Sequence, residues 1–303
     1  MPISHFFLII LVVAIWGFNF IFVKFALQEI SPLLLCAIRF LLASVPAIFF
    51  IKPPAAPFRI IATYGLLMFA LQFALLFLGM REGMPPGLTS LLMQVQVFFS
   101  MFFAAIFAGE MPSLWQITGA LISFSGIGLV AFHLDKNGSF LGFILIIAAA
   151  ATWGLGNLIT KKVHHINMVA LVVWGSFVAF LPMTLLSIFF EGIPSWIHSY
   201  HHVSILGVSS TLYIVYASTW VGYGVWNWLI SRYPVPTIVP FTLLVPVFGI
   251  LSAMVVLGEP FKSWKLTAGL LVISGLCINL FGARFFAKKL PQKPHFCEEN
   301  KTN

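Results

Sequence analysis

Several side chains with hydrogen-bonding chemistry sit inside otherwise apolar stretches of this 303-residue sequence, at regular spacings. Trp16 and Asn19 lie three apart, and Trp153 and Asn157 four apart, so in a helix each pair puts an indole and an amide on one face. An amide offers both donors and an acceptor, which suits a zwitterionic solute without demanding a fixed charge. The same asparagines would serve equally well as bonds between helices. Ser209, Tyr213, Tyr216, Trp220, Tyr223 and Asn227 follow at steps of four, three, four, three and four. On a regular helix they form one stripe about 27 Å long, fit either to line a cavity or to pack a helix. Gln72, Gln94 and Gln96 add three amides. Gln94 and Gln96 are about 200 degrees apart around a regular helix, so Gln94 is assigned to the site and Gln96 to structure. Arg39 lies about 12 Å inside the second apolar stretch, placed to hold a substrate carboxylate or to clamp helix-end carbonyls.

The rest of the charge inventory excludes other chemistries. Sixteen Lys and Arg stand against eight acidic residues, and Asp135 is the single aspartate, so paired-aspartate catalysis has no raw material. Glu29, Glu82, Glu110, Asp135, Glu191, Glu259, Glu298 and Glu299 all fall at the ends of apolar stretches or outside them. No catalytic residue, metal ligand set, cofactor or ATP-binding motif is expected. His198, His201 and His202 lack neighbouring Cys or Asp and read as part of an interfacial, solvated loop. Cys36, Cys277 and Cys297 are odd in number and imply no disulfide framework. With no soluble face to carry it, the net charge of +8 does not point to nucleic acid.

What positions these groups is a membrane bundle. The composition is 60% hydrophobic and 8% charged, which leaves little for a soluble domain. At about 20 residues per span, the chain holds about ten spans. Breaks in charge, Pro and Gly place them at 5–27, 31–51, 59–80, 86–108, 115–134, 141–161, 168–190, 203–231, 235–257 and 264–286. Pro46, Pro182, Pro240 and Pro246 interrupt spans and free backbone carbonyls. The two halves repeat. AIWGFNFIFVK at 14–24 matches ATWGLGNLITK at 151–161 at an offset of 137, and GEMPSLWQITGALISFSG at 109–126 matches GEPFKSWKLTAGLLVISG at 258–275 at an offset of 149. Five spans per copy is an odd number, so the second copy enters the membrane from the opposite side. The expected fold is therefore all-α and integral to the membrane, with ten transmembrane helices as two inverted five-helix repeats, 5–134 and 141–286, and a polar cytoplasmic tail over 287–303. Ten Lys and Arg fall on one side and five on the other, which favours both termini inside. Gly119 and Gly126, with Gly275 and Gly282, let the fifth and tenth spans approach closely, either within the bundle or as a homodimer contact.

The stretches VVAIWGFNFIFVKFAL at 12–27, LLLCAIRFLLASVPAIFF at 33–50, GMPPGLTSLLMQVQVFFSMFFAAIFAGE at 83–110 and AAAATWGLGNLITKK at 148–162 resemble the EamA-type family of the drug/metabolite transporter superfamily. The resemblance covers nearly all of the chain up to about residue 286. It implies a multi-pass protein of the inner (plasma) membrane, a small polar metabolite and the lipid bilayer as partners, and export of amino-acid type solutes such as O-acetylserine or cysteine. The expected substrate-binding residues are Trp16, Asn19, Gln72, Gln94, Trp153, Asn157, Tyr213, Tyr216, Trp220 and Asn227, with Arg39 for a carboxylate. A broad drug exporter and, further off, an intramembrane enzyme are the competing readings.

Overall fold

The computed structural model describes residues 2–109, 112–133, 139–162, 166–232, 239–258 and 263–287, and these contain helices and no strand. Helix α1 is Ile3–Glu29. Helix α2 is Pro32–Ser44, prolonged beyond Pro46 by a tight turn, Ala47–Phe49. Helices α3 (Phe58–Arg81) and α4 (Pro86–Phe107) follow, then α5 (Leu114–Phe132) and α6 (Ser139–Lys162). Helix α7 is Met168–Leu186 and runs on as a wider π turn, Ser187–Glu191. The second half continues with α8 (Gly192–His202), α9 (Ile205–Trp226), α10 (Val245–Leu257) and α11 (Ser263–Ala287). Seven of the helical stretches are long and apolar enough to cross a membrane, and Leu114–Val130, Val245–Leu257 and Ser263–Asn279 are shorter apolar helices.

Two departures from the sequence reading concern local structure. The stretch 191–202, expected as a loop, is helical as α8, entered through Gly192 at a φ of 76°, a conformation glycine adopts without penalty. One side of α8 is anchored inward by Trp196, whose Nε1 donates to Ser187 Oγ at 2.9 Å, while Ile197 and Tyr200 face outward. Helices α3 and α9 each contain a π segment, Gly65–Leu71 and Tyr213–Gly222. There the hydrogen bonds close over five residues, and side chains drift around the axis relative to a regular helix.

Packing joins the halves rather than separating them. Helix α1 packs on α10, and α6 packs on α4. These two crossings are built alike. A Cβ on Gly17 would meet Phe248 and stand 3.0 Å from the Gly249 nitrogen; a Cβ on Gly154 would stand 2.8 Å from Phe99 Cβ and 2.9 Å from the Ser100 nitrogen. The matching residues obey the sequence offsets, 137 from Gly17 to Gly154 and 149 from Phe99 to Phe248. Helices α5 and α11 form the most extensive pair and run antiparallel. Gly119 abuts Gly275 and Asn279, Gly126 abuts Ala268, and Gly282 abuts Trp115. Ser123 Oγ donates to the Val272 carbonyl at 3.0 Å, across the 149-residue offset. The glycine face considered above as a homodimer contact is thus occupied within one chain.

Candidate functional site

A cavity of about 420 Å³ lies among α1, α2, α3, α4, α6, α7, α9 and the turn leading into α10. That volume is in the range of small-molecule sites, about 300–1,000 Å³. Its wall includes Trp16, Asn19, Arg39, Gln72, Gln94, Trp153 and Asn157, which sequence spacing singled out from five different helices. The cavity extends to Met168, the first residue of α7, and to Thr242, in the tight turn before α10. Towards the opposite end it stops at Arg39 and Leu76, with Arg39 about 10 Å in from the start of α2.

The two asparagines that sequence symmetry pairs have different surroundings. Asn157 Nδ2 donates to Gln96 Oε1 at 2.7 Å and to Ser100 Oγ at 2.9 Å, so both its N–H groups tie α6 to α4. Asn19 is 7% exposed, and its Oδ1 is buried with no hydrogen-bond partner. A buried acceptor left without a donor costs about 1–3 kcal/mol, which a solute or water in the cavity would offset. Asn157→Ala is therefore expected to lower stability, by about 0.6–1.7 kcal/mol per lost bond, and to leave substrate KM within about threefold. Thermal unfolding in detergent alongside uptake kinetics tests this; a large KM change without destabilisation would contradict it.

Arg39 is the one charged side chain among the described residues of the wall, and it is 2% exposed. Its NH2 donates to Thr219 Oγ1 at 3.2 Å, and its guanidinium carbon stands 3.9 Å from the centre of the Phe73 ring. Stacking on an aromatic face holds a guanidinium in place, and its planar fork matches the geometry of a carboxylate. Thr219 in turn donates to the Ile214 carbonyl, five residues back, so the π segment of α9 sets the position of the group that steadies Arg39. Trp16 Nε1 donates to the Ser218 carbonyl at 3.1 Å and its ring lies 5.3 Å from Trp226, which fixes it as wall.

The aromatic stripe on α9 does not line this cavity. Tyr213 donates its hydroxyl to the Ile15 carbonyl at 2.9 Å and stacks on Phe22. Tyr216 and Trp220 pair edge to face at the outer surface, 38% and 40% exposed, with Trp220 Nε1 donating to the Ala43 carbonyl. The stripe assumed a regular helix. In the π segment that spacing no longer keeps one face, and Ser218 lines the cavity instead. The Tyr223 and Asn227 side chains lie outside the described ones. Gln96, assigned to structure, reaches the wall together with Gln94 because Met93–Val95 wind as a tight turn in which the regular-helix angle does not hold. Spacing also missed Met68, Met93, Met168 and Trp226, whose apolar types gave no signal within an apolar chain.

Comparison with known proteins decides the class. The model of the EamA-like transporter family matches residues 3–132 and again 140–281. The chain belongs to the EamA-like transporter family. It is 39% identical over 285 residues to a Salmonella typhimurium protein named "Probable amino-acid metabolite efflux pump", covering 92% of this chain and 95% of that one. A protein of the same name from Escherichia coli is 36% identical with the same coverage. A "Probable terminal-alkyne amino-acid exporter" of Streptantibioticus cattleyicolor is 24% identical over 174 residues, 56% of either chain. A solved crystal structure shares the fold with a TM-score of 0.61, over 94% of this chain and 99% of that one, at 16% identity. This EamA-like protein is thus a multi-pass membrane transporter.

Proposed function

We propose that this protein exports small amino-acid type metabolites, of the O-acetylserine and cysteine kind, from the inner membrane by alternating access. The observation that carries this reading is the lining of the cavity: amides from four helices and one stacked guanidinium, with no carboxylate among the described lining residues. Arg39 receives the solute carboxylate, and Asn19 Oδ1, the acceptor left open, receives its ammonium. A single cation in the wall disfavours lipophilic cationic drugs, which aromatic and acidic pockets suit. The printed names of the relatives, efflux pump and exporter of amino-acid compounds, agree with this reading, although the family scaffold alone does not specify a solute.

The architecture that serves it is a pair of inverted five-helix repeats with both termini inside. Support comes from the contacts. The crossings of Gly17 on α10 and of Gly154 on α4 are repeat mates exchanged between halves, and α5 meets α11 antiparallel about Ser123 and Val272, themselves mates. A two-fold axis perpendicular to those helices relates such contacts, and in transporters the solute sits at the repeat interface. Without an acid among the described residues of the cavity wall, the substrate gradient drives export or exchange.

The test is competition in proteoliposomes. O-Acetylserine and cysteine are expected to compete with each other, amino-acid amides lacking the carboxylate are expected to compete only weakly, and the rate is expected to ignore an imposed pH gradient at fixed substrate gradient. Asn19→Ala is expected to raise KM about tenfold, one charge-assisted hydrogen bond of about 1.5 kcal/mol or more. Equal competition by the amides, or an Asn19→Ala variant with unchanged KM, would overturn the site assignment.

A further inference from the structure

The cavity stops short of the end of the bundle at which α1 ends and α2 and α9 begin, and two glutamates cross between the halves at that end. Glu191, closing the π turn after α7, sits on the N-terminus of α2. Its Oε1 accepts from the Leu33 N–H at 2.8 Å, and its Oε2 accepts from the Leu34 N–H at 3.0 Å, Ser31 Oγ at 2.7 Å and Ser187 Oγ at 2.6 Å. Glu29, the last residue of α1, sits on the N-terminus of α9. Its Oε2 accepts from the Ser204 N–H at 2.8 Å and its Oε1 from Ser204 Oγ at 2.7 Å, while Ser204 Oγ accepts from the Leu206 and Gly207 N–H groups. Each half thus caps a helix of the other, and the two caps run in opposite senses.

Towards the other end of the bundle, α2 is joined to the second half by neutral bonds, Trp174 Nε1 to the Ile51 carbonyl at 3.0 Å and Trp220 Nε1 to the Ala43 carbonyl at 3.2 Å. Bonds to an ionised carboxylate are about twice as strong as neutral ones, and a helix N-terminus favours the negative charge. The cavity reaches Met168 towards the neutral end, and towards the charged end its lining stops at Arg39 and Leu76.

We infer that Glu29 and Glu191 form the latch of one of the two gates: they hold the halves together at their end while the cavity communicates with the other side, and both caps must release for the cavity to change sides. This rests on the alternating-access reading, and it adds that the energetic asymmetry between the two gates resides in these carboxylates. They are positioning residues and do not touch the solute.

The experiment reads the latch without reference to any substrate. A reporter, Leu76→Cys, is placed in the cavity wall at its latch-facing limit, with Cys36, Cys277 and Cys297 replaced by alanine. The full-length protein in sealed vesicles is labelled with a membrane-impermeant maleimide supplied to one face and then to the other. With the latch intact, labelling from the latch face is expected to be slow. Glu29→Gln combined with Glu191→Gln is expected to speed it at least tenfold and to slow labelling from the opposite face. An unchanged rate, or an equal rise from both faces as general loosening gives, overturns the latch. A second variant covers loss of folding. Ser31 and Ser187 bond the same carboxylate oxygen from opposite halves, so Ser31→Cys with Ser187→Cys, oxidised in the reporter background, is expected to hold latch-face labelling at the slow rate even with Glu29→Gln and Glu191→Gln both present, and dithiothreitol is expected to release it. Fast labelling through the oxidised pair overturns the latch. If the proteoliposome competition fails while labelling behaves as described, the substrate reading is wrong and the gate stands.

Discussion

Arg39→Gln is expected to raise the KM for O-acetylserine or cysteine at least about 30-fold while leaving the folded protein in place. Removing one partner of a buried, hydrogen-bonded charge pair costs about 2–5 kcal/mol, and each 1.4 kcal/mol is tenfold in affinity. Arg39 is 2% exposed, its guanidinium carbon stands 3.9 Å from the centre of the Phe73 ring, and it is the one charge among the described residues of the cavity wall. A carboxylate entering the cavity therefore has one cation to meet. Glutamine keeps a donor for Thr219, so the hydrogen bond that steadies the position survives in part. Arg39→Lys is expected to fall between, because an ammonium keeps the charge but loses the planar stack and the two-pronged geometry. Structural damage and lost recognition separate by analogue: recognition predicts that competition by an amino-acid amide is unchanged in Arg39→Gln while that of the acid collapses. If both fall alike, Arg39 is a brace and the carboxylate is held elsewhere.

The second large effect is on assembly. Gly17→Val is expected to prevent recovery of monodisperse protein in detergent, and Gly17→Ala to cost about 1–3 kcal/mol as overpacking. The added Cβ meets Phe248 and backbone atoms, the Val245 carbonyl at 2.9 Å and the Gly249 nitrogen at 3.0 Å, and backbone cannot swing aside as a side-chain tip can. Gly154→Val and Gly154→Ala should track them closely, since Phe99 Cβ and the Ser100 nitrogen stand in the same relation to Gly154. Thermal unfolding by intrinsic fluorescence compares the alanine pair. A destabilisation at Gly17 several-fold that at Gly154 would contradict the exchange of equivalent contacts between halves.

Much of the bundle was readable from punctuation and repeats, because a membrane span is announced by its own length and apolarity and needs no distant partner to be seen. Trp16, Asn19, Trp153 and Asn157 were found for a related reason: a polar or amphipathic group is conspicuous in an apolar background, and its repeat mate doubles the signal. Spacing could not choose between cavity lining and helix packing for Tyr213, Tyr216 and Trp220, because helical-wheel geometry presumes one kind of helix, and the ten-residue π segment of α9 violates it. It also left Asn19 and Asn157 with the same two readings, solute site or interhelical bond, because only the environment distinguishes an amide carbonyl left open from an amide whose two N–H groups join Gln96 and Ser100. Glu29 and Glu191 were passed over as acids at span ends. Their partners lie 175 and about 158 residues away in sequence, on helix N-termini that no local pattern connects to them.

The crossing of α1 with α10 has a consequence for biosynthesis. The face of α1 that carries Gly17 finds its packing partner in residues 245–257, so a chain emerging from the ribosome must keep that face without its final neighbour while some 230 further residues are made. At about 5–20 residues per second this interval is on the order of 10–50 s. Throughout it, lipid or the insertion machinery stands where α10 will be, and the solute cavity closes around its first wall only when the chain is nearly complete.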